Sequence, residues 1–323
     1  KDGLHDDYEK MIGTNPQYYD TDRDGIWDGW GNYDNDSNID TNEPYGEIGQ
    51  PLGPVGNTNS GAVDTLFSNP AERQNCFCKD IYVEVDFMKK EKVKKSKGNK
   101  TQNDQNHRIN PGQLRLLKGI FLTRGIRLHV DLGWPAGIAG SDARGGGEWL
   151  KHKSLLRFTY ANDTTFDFYN FKNGEVRADY DGDGVREPRH FSTNRKGSFR
   201  YAIIGHNYSE NATSIGRAEQ FFTADDFFIS HGRILEFGLN GRRTSNALAY
   251  AFCHELGHNL NLGWTPATHE NAPYGYWSCM SYNASAIYNY QSYSDGLHGS
   301  FNDWHKMDIQ NGVAFWYSHD YTK

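Results

Sequence analysis

Residues 244–260 read TSNALAYAFCHELGHNL. His254 and His258 stand four apart, with Glu255 beside the first. In a helix, positions four apart share a face, so both imidazoles project together. They can then share one tetrahedral zinc at about 2.0–2.1 Å from each nitrogen. Glu255 sits beside the metal without binding it, placed to take a proton from a zinc-activated water. Thr244 or Ser245 offers a side-chain oxygen to cap such a helix. Further on come Ser278, Cys279, Met280, Ser281 and Tyr282.

Upstream, Ile81, Val83, Val85 and Phe87 alternate with Tyr82, Glu84 and Asp86, the period-two pattern of a strand. Asn110 suits an N-cap and Pro111 the first helical position, with Leu114, Leu117, Ile120 and Phe121 on one face. Ile126, Leu128, Val130 and Leu132 alternate again as a second strand. Strand, helix, strand in this order predicts a crossover between parallel neighbours. Residues 199–204 and 227–229 are further short strand candidates. The fold class expected from this mixture is α+β. Between the first strand and the helix lies a lysine tract, Lys89, Lys90, Lys92, Lys94, Lys95, Lys97 and Lys100. It reads as a solvated loop, with a processing site or an anionic-polymer contact as alternatives.

Two aspartate loops carry a second metal signature. Asp20, Asp22, Asp24, Gly25 and Asp28 place oxygens at the alternating positions of a calcium loop, with Ile26 offering its carbonyl. Asp179, Asp181, Asp183 and Glu187, with Gly184 and Val185, repeat the arrangement. Asp2, Gly3, Asp6 and Glu9 match only the second half of such a loop, which leads us to expect residues before Lys1. Asp34, Asp36 and Asp40 extend the first loop less regularly. Residues 43–75 hold Gly, Pro, Asn and Ser without periodicity and read as a linker or long loop.

Bulk properties narrow the partners. The 323 residues are 36% hydrophobic and 14% aromatic, enough for a large core. A net charge of −7 argues against a nucleic-acid partner. No run approaches the roughly 18 apolar residues of a membrane span. Calcium loops of this kind suit the outside of a cell, and the four cysteines are compatible with disulfides. A monomer acting on protein or peptide is the expectation.

The segment DGLHDDYEKMIGTNPQYYDTDRDGIWDG resembles bacterial thrombospondin type 3 repeats. HELGHNLNLGW and YWSCMSY are similar to the secreted bacterial and archaeal metzincin zinc metallopeptidases that read HELGHNLGLxH…SVMNY. KDIYVEVDFM, LHVDLG, YAIIGH and QSYSDG follow that family in the same order, so the resemblance runs over about residues 79 to 323. It implies three parts: residues 1–42 as a calcium-binding segment, 43–75 as linker, and 76–323 as a metzincin-like catalytic domain. That domain would carry a twisted mixed sheet, an active-site helix and a Met-turn. Met280 would floor the zinc, and Tyr282 would stabilise the oxyanion of a secreted, calcium-stabilised endopeptidase. An edge strand near residues 226–230 would pair with extended substrate.

The chain departs from that family at one point. The motif HExxHxxGxxH requires Gly and His where this sequence has Asn261 and Trp264. An indole has no acceptor for a metal. His269 as third ligand, a more distant carboxylate or histidine, and a degenerate site are three open readings. The last would make the chain a non-catalytic extracellular calcium-binding or adhesion module on a metzincin scaffold. Asn261 tolerates left-handed backbone, so the chain can still turn there.

The resemblance also brings Cys253 and Cys279 together beneath the zinc. Cys76 and Cys78 are two apart, and a bond between them would be strained in an extended chain. The leading expectation is two bridges from Cys76 and Cys78 to Cys253 and Cys279, in either order. A Cys253–Cys279 bridge with a strained Cys76–Cys78 loop, or free thiols, are the alternatives.

Overall fold

The computed structural model describes residues 79–89, 107–133, 146–157, 168–174, 199–208, 214–218, 225–237, 242–262, 276–281, 292–297 and 301–309. It also describes 6–7, 10, 15–18, 21, 186, 188–192 and 195. Strand β1 (Lys79–Lys89) is central, with β2 (Ile126–Asp131) parallel on one edge and β4 (Phe199–Gly205) parallel on the other. The helix between β1 and β2 is α1 (Pro111–Leu122), so the expected parallel crossover is present. Its start is specified locally. The Asn110 side chain accepts the N–H of Gly112 and Gln113, and the Gln113 side chain accepts the N–H of Asn110. This reciprocal cap satisfies donors a helix start otherwise orphans, and Pro111 gives up nothing there. Leu114, Leu117, Ile120 and Phe121 are all buried.

Strand β3 (Trp149–Lys151) continues along the same edge of β1 beyond β2. Strand β6 (Asp226–Ser230) lies parallel to β4, and β5 (Gly216–Ala218) pairs antiparallel with β6 at the sheet's end. The order is β2-β1-β4-β6-β5, a mixed sheet in an α+β arrangement. This corrects the expected edge strand. Residues 226–230 are interior, because β5 takes the hydrogen bonds of their outer side. The edge itself is β5.

The sheet is covered on both faces. Ile81, Val83, Val85 and Phe87 join α1 and the long helix α4 (Arg242–Asn259) in one core. Tyr82, Met88, Tyr201, Ile203 and Phe228 pack in the other with Phe168 and Phe171, which lie on α2 (Phe168–Asn173). Helix α4 begins at Arg242, earlier than the expected Thr244 or Ser245 cap, since two arginines of good helix propensity extend it. Among the described residues no helix is long and apolar enough to cross a membrane.

Glu84 and Asp86, on the polar side of β1's alternation, are fully buried rather than solvated. The Arg195 guanidinium donates to both Glu84 (2.6 Å) and Asp131 (2.5 Å), so one cation serves two carboxyl groups. Burial pushes Glu84 up to about 8 against the pull of Arg195, with Asp86 and Asp131 adding to the push. The folded chain therefore holds a proton that the unfolded chain releases near pH 4.5. The associated stability is full below that pH and drains away as pH rises through about 8. Glu84→Gln removes this titration. Urea midpoints at pH 5 and pH 8 should differ less in the variant than in the wild type, and equal differences would refute the assignment.

Candidate metal centre at the end of the long helix

Helix α4 ends in a turn that also fixes a histidine. The N–H of Leu262 donates to the Gly257 carbonyl (2.8 Å) and the N–H of Asn261 to the His258 carbonyl (3.1 Å). Asn261 lies at φ 62, the left-handed residue such a cap requires. The chain thus turns at Asn261, as an asparagine allows. The turn carries the Leu262 carbonyl back to the His258 ring, whose Nδ1 lies 3.0 Å from it. His254 Nδ1 lies 2.8 Å from the Cys279 carbonyl.

Carbonyls only accept, so each Nδ1 holds the proton and each Nε2 presents its lone pair. Those two Nε2 atoms stand 3.2 Å apart. Two nitrogens about 2.0–2.1 Å from one tetrahedral zinc would lie about 3.3–3.4 Å apart. Burial pushes His254 down to about 4 and His258 down to about 3, the latter helped by its neighbour, so both are neutral at pH 7. The pair therefore fits a zinc ion in spacing, tautomer and charge, with backbone carbonyls as the outer partners that orient such ligands.

Glu255 is buried beside the pair. Burial raises its carboxyl well above the usual range, while Arg217 on β5 pulls it down. Its carboxylate lies against the edge strand: a Cβ built on Gly216 would stand 2.4 Å from Glu255 Oε1. Among the described residues no third His, Cys, Asp or Glu joins the two imidazoles within 4.8 Å, so Glu255 stands apart from the ligand pair.

The turn at residues 278–281 closes the site from below. Met280 is fully buried against Gly257, where an added Cβ would meet its sulfur at 2.4 Å. Tyr250 donates to the Ser281 carbonyl (2.6 Å), and Tyr293 donates to the Cys253 carbonyl (2.7 Å). A buried carboxylate organises the rest. Asp303 opens the short helix α5 (Asp303–Lys306) and accepts from Tyr276 Oη (2.7 Å), Ser278 Oγ (2.5 Å) and the Ser294 N–H (2.8 Å). Ser278 Oγ accepts the Met280 N–H in turn. Sequence reasoning missed Tyr250, Tyr276, Tyr293 and Asp303, because no spacing links them to the histidine motif.

Cys253 and Cys279 do meet beneath the histidines, but as free, buried thiols. Burial pushes Cys279 well up, and the hydrogen-bonded Cys253 thiol adds to that. This corrects the expected bridges to Cys76 and Cys78: each buried sulfur has the other as its neighbour. Cys76 and Cys78 lie outside the described residues, as do Trp264, His269 and Tyr282. So do Asp20, Asp22, Asp24, Ile26, Asp28, Asp179, Asp181, Asp183, Val185 and Glu187. Of the N-terminal half-loop, Asp6 is described, exposed and helical. No protein-family model, curated protein or solved structure matches the chain.

Proposed function

We propose that this chain is a secreted, zinc-dependent endopeptidase of the metzincin type, stabilised by calcium on its aspartate loops. The observation that carries the reading is the His254–His258 pair, with Nε2 atoms 3.2 Å apart and Nδ1 atoms held by carbonyls, beside a buried non-ligating Glu255. His254 and His258 would hold the zinc, with His269 as the proposed third ligand. Zinc bound there supplies a Lewis acid that polarises a carbonyl and acidifies water.

The chain's own residues do the remainder. Glu255 accepts the proton of the attacking water and returns it to the leaving amine. Its burial excludes bulk water from that transfer and strengthens each charge interaction. Extended substrate would lie along β5, the last strand of the sheet among the described residues, and Gly216 lets that strand lie against Glu255. Met280 and Gly257 make the tight apolar floor that keeps α4 and the turn together. Tyr282 is proposed to stabilise the oxyanion.

The deciding experiment is turnover of a peptide library by the zinc-loaded chain. Cleavage inside peptides, abolished by a chelator and restored by zinc, is expected. A chain that binds zinc yet cleaves nothing is the degenerate adhesion module instead, the reading favoured by Trp264.

A further inference from the structure

Four histidines far apart in sequence meet at the carboxyl end of the parallel sheet. The strand register brings them there. Gly205 and Ser230 are the last paired residues of β4 and β6, and His206 and His231 are the next residue on each chain. His231 is also the first residue of α3 (His231–Glu236). Lys151 ends β3 opposite Lys89 of β1, and His152 follows it. His107 donates its N–H to the Met88 carbonyl at the end of β1 (3.2 Å). The ends of three strands, and a segment hydrogen-bonded to the end of β1, thus each bring one imidazole to a single point. The carboxyl ends of parallel strands are where such sheets bind ligands.

The rings form one cluster. Centroids of His107, His152 and His206 lie 5.4–5.5 Å apart, and His231 lies 5.4 Å from His107. One ring nitrogen from each of His107, His152 and His206 lies within 4.8 Å of the other two. His107 Nδ1 and His231 Nδ1 are 3.4 Å apart, a contact in which one ring donates and the other accepts. Both residues are buried, and neither Nε2 has a hydrogen-bond partner. Burial and the three surrounding rings push His107 down to about 2, and burial with His206 pushes His231 down to about 4. Both of these are neutral imidazoles at pH 7. Glu236 on α3 faces His206 Nε2 at 3.8 Å, the outer carboxylate that metal-bound histidines recruit.

The His107 Nε2 is buried without a partner, which is costly in a core. A cation on that nitrogen would repay the cost. We propose that His107, His152 and His206 form a second metal site that holds a zinc ion. Three imidazoles leave the fourth position of a tetrahedral zinc open. The ion ties the segment before α1 to the ends of β3 and β4. Imidazole donors without thiolate suit zinc, copper or nickel and disfavour calcium or magnesium. The site is independent of the one on α4 and of the peptidase reading.

The test uses the full chain with His254→Ala and His258→Ala, which removes the α4 pair. After stripping and re-equilibration with zinc, about one zinc per chain should remain by elemental analysis. Zinc should also raise its melting temperature, as an ion that binds the folded form does. Adding His152→Ala and His206→Ala, both half-buried, should abolish the zinc and the thermal shift together. Cobalt substituted into the first variant should give the visible bands of imidazole-bound cobalt. A folded first variant that takes up no zinc overturns the proposal, and so does zinc that survives all four substitutions. If the first variant does not fold, His152→Ala and His206→Ala in the wild-type chain decide it. Loss of one zinc supports the site, and unchanged zinc overturns it.

Discussion

Glu255→Gln should lower kcat for peptide cleavage by about three orders of magnitude while zinc content and KM stay near wild type. A positioned general base contributes about 10²–10⁴-fold. The amide has the size of the carboxylate but no basic lone pair for the water's proton. Glu255 touches the edge strand at Gly216 and stands apart from the His254–His258 pair, so the substitution leaves the ligands in place. The fold should not suffer either. Burial already opposes the charge of Glu255, and a neutral side chain of equal volume relieves that cost. Equal or higher melting temperature with lost turnover is the signature of a residue kept for chemistry at some expense to stability. Wild-type turnover by the zinc-loaded variant would refute the role of Glu255, and parallel loss of zinc would make it a structural residue instead.

What the sequence disclosed was local. The Asn110–Pro111 pair specified a helix start, and the alternation from Ile81 to Phe87 specified a strand, because both signals depend on neighbours a few residues away. The spacing of His254 and His258 placed both rings on one face for the same reason. The turn at Asn261 was legible too, since asparagine enters left-handed backbone readily and the chain turns there at φ 62. The alternation did not tell which faces are covered. Glu84 and Asp86 are buried because Phe168, Phe171 and Phe191, from segments without periodicity, cover that side of the sheet. Contacts set by register stayed hidden altogether. His107, His152, His206 and His231 obey no spacing rule, and only the pairing of β3, β1, β4 and β6 lines them up. Asp303 is a further case, an ordinary acidic residue in sequence and the anchor of the turn in space.

Asp303→Ala should destabilise the fold by about 3–5 kcal/mol, whereas Asp303→Asn should cost far less. Three donors converge on this carboxylate, and a hydrogen bond to a charged group contributes about 1.5–3 kcal/mol. Alanine leaves Tyr276, Ser278 and the Ser294 N–H buried without an acceptor, a deficit no packing repairs. Asparagine keeps an oxygen for Ser278 Oγ and the Ser294 N–H and turns its amide toward Tyr276 Oη, which can accept. The damage should reach the metal centre by a short path. Ser278 holds the Met280 N–H, and the adjoining Cys279 carbonyl orients the His254 ring. Loss of an outer partner of a metal-bound histidine costs about 10–100-fold in affinity. Zinc binding by Asp303→Ala should therefore weaken by that factor even where the variant remains folded, and Asp303→Asn should bind as the wild type does. Denaturant midpoints and competitive zinc titrations on both variants provide the measurement. If alanine and asparagine behave alike in stability, the hydrogen bonds at Asp303 do not hold the turn. If both bind zinc normally, the turn does not hold His254.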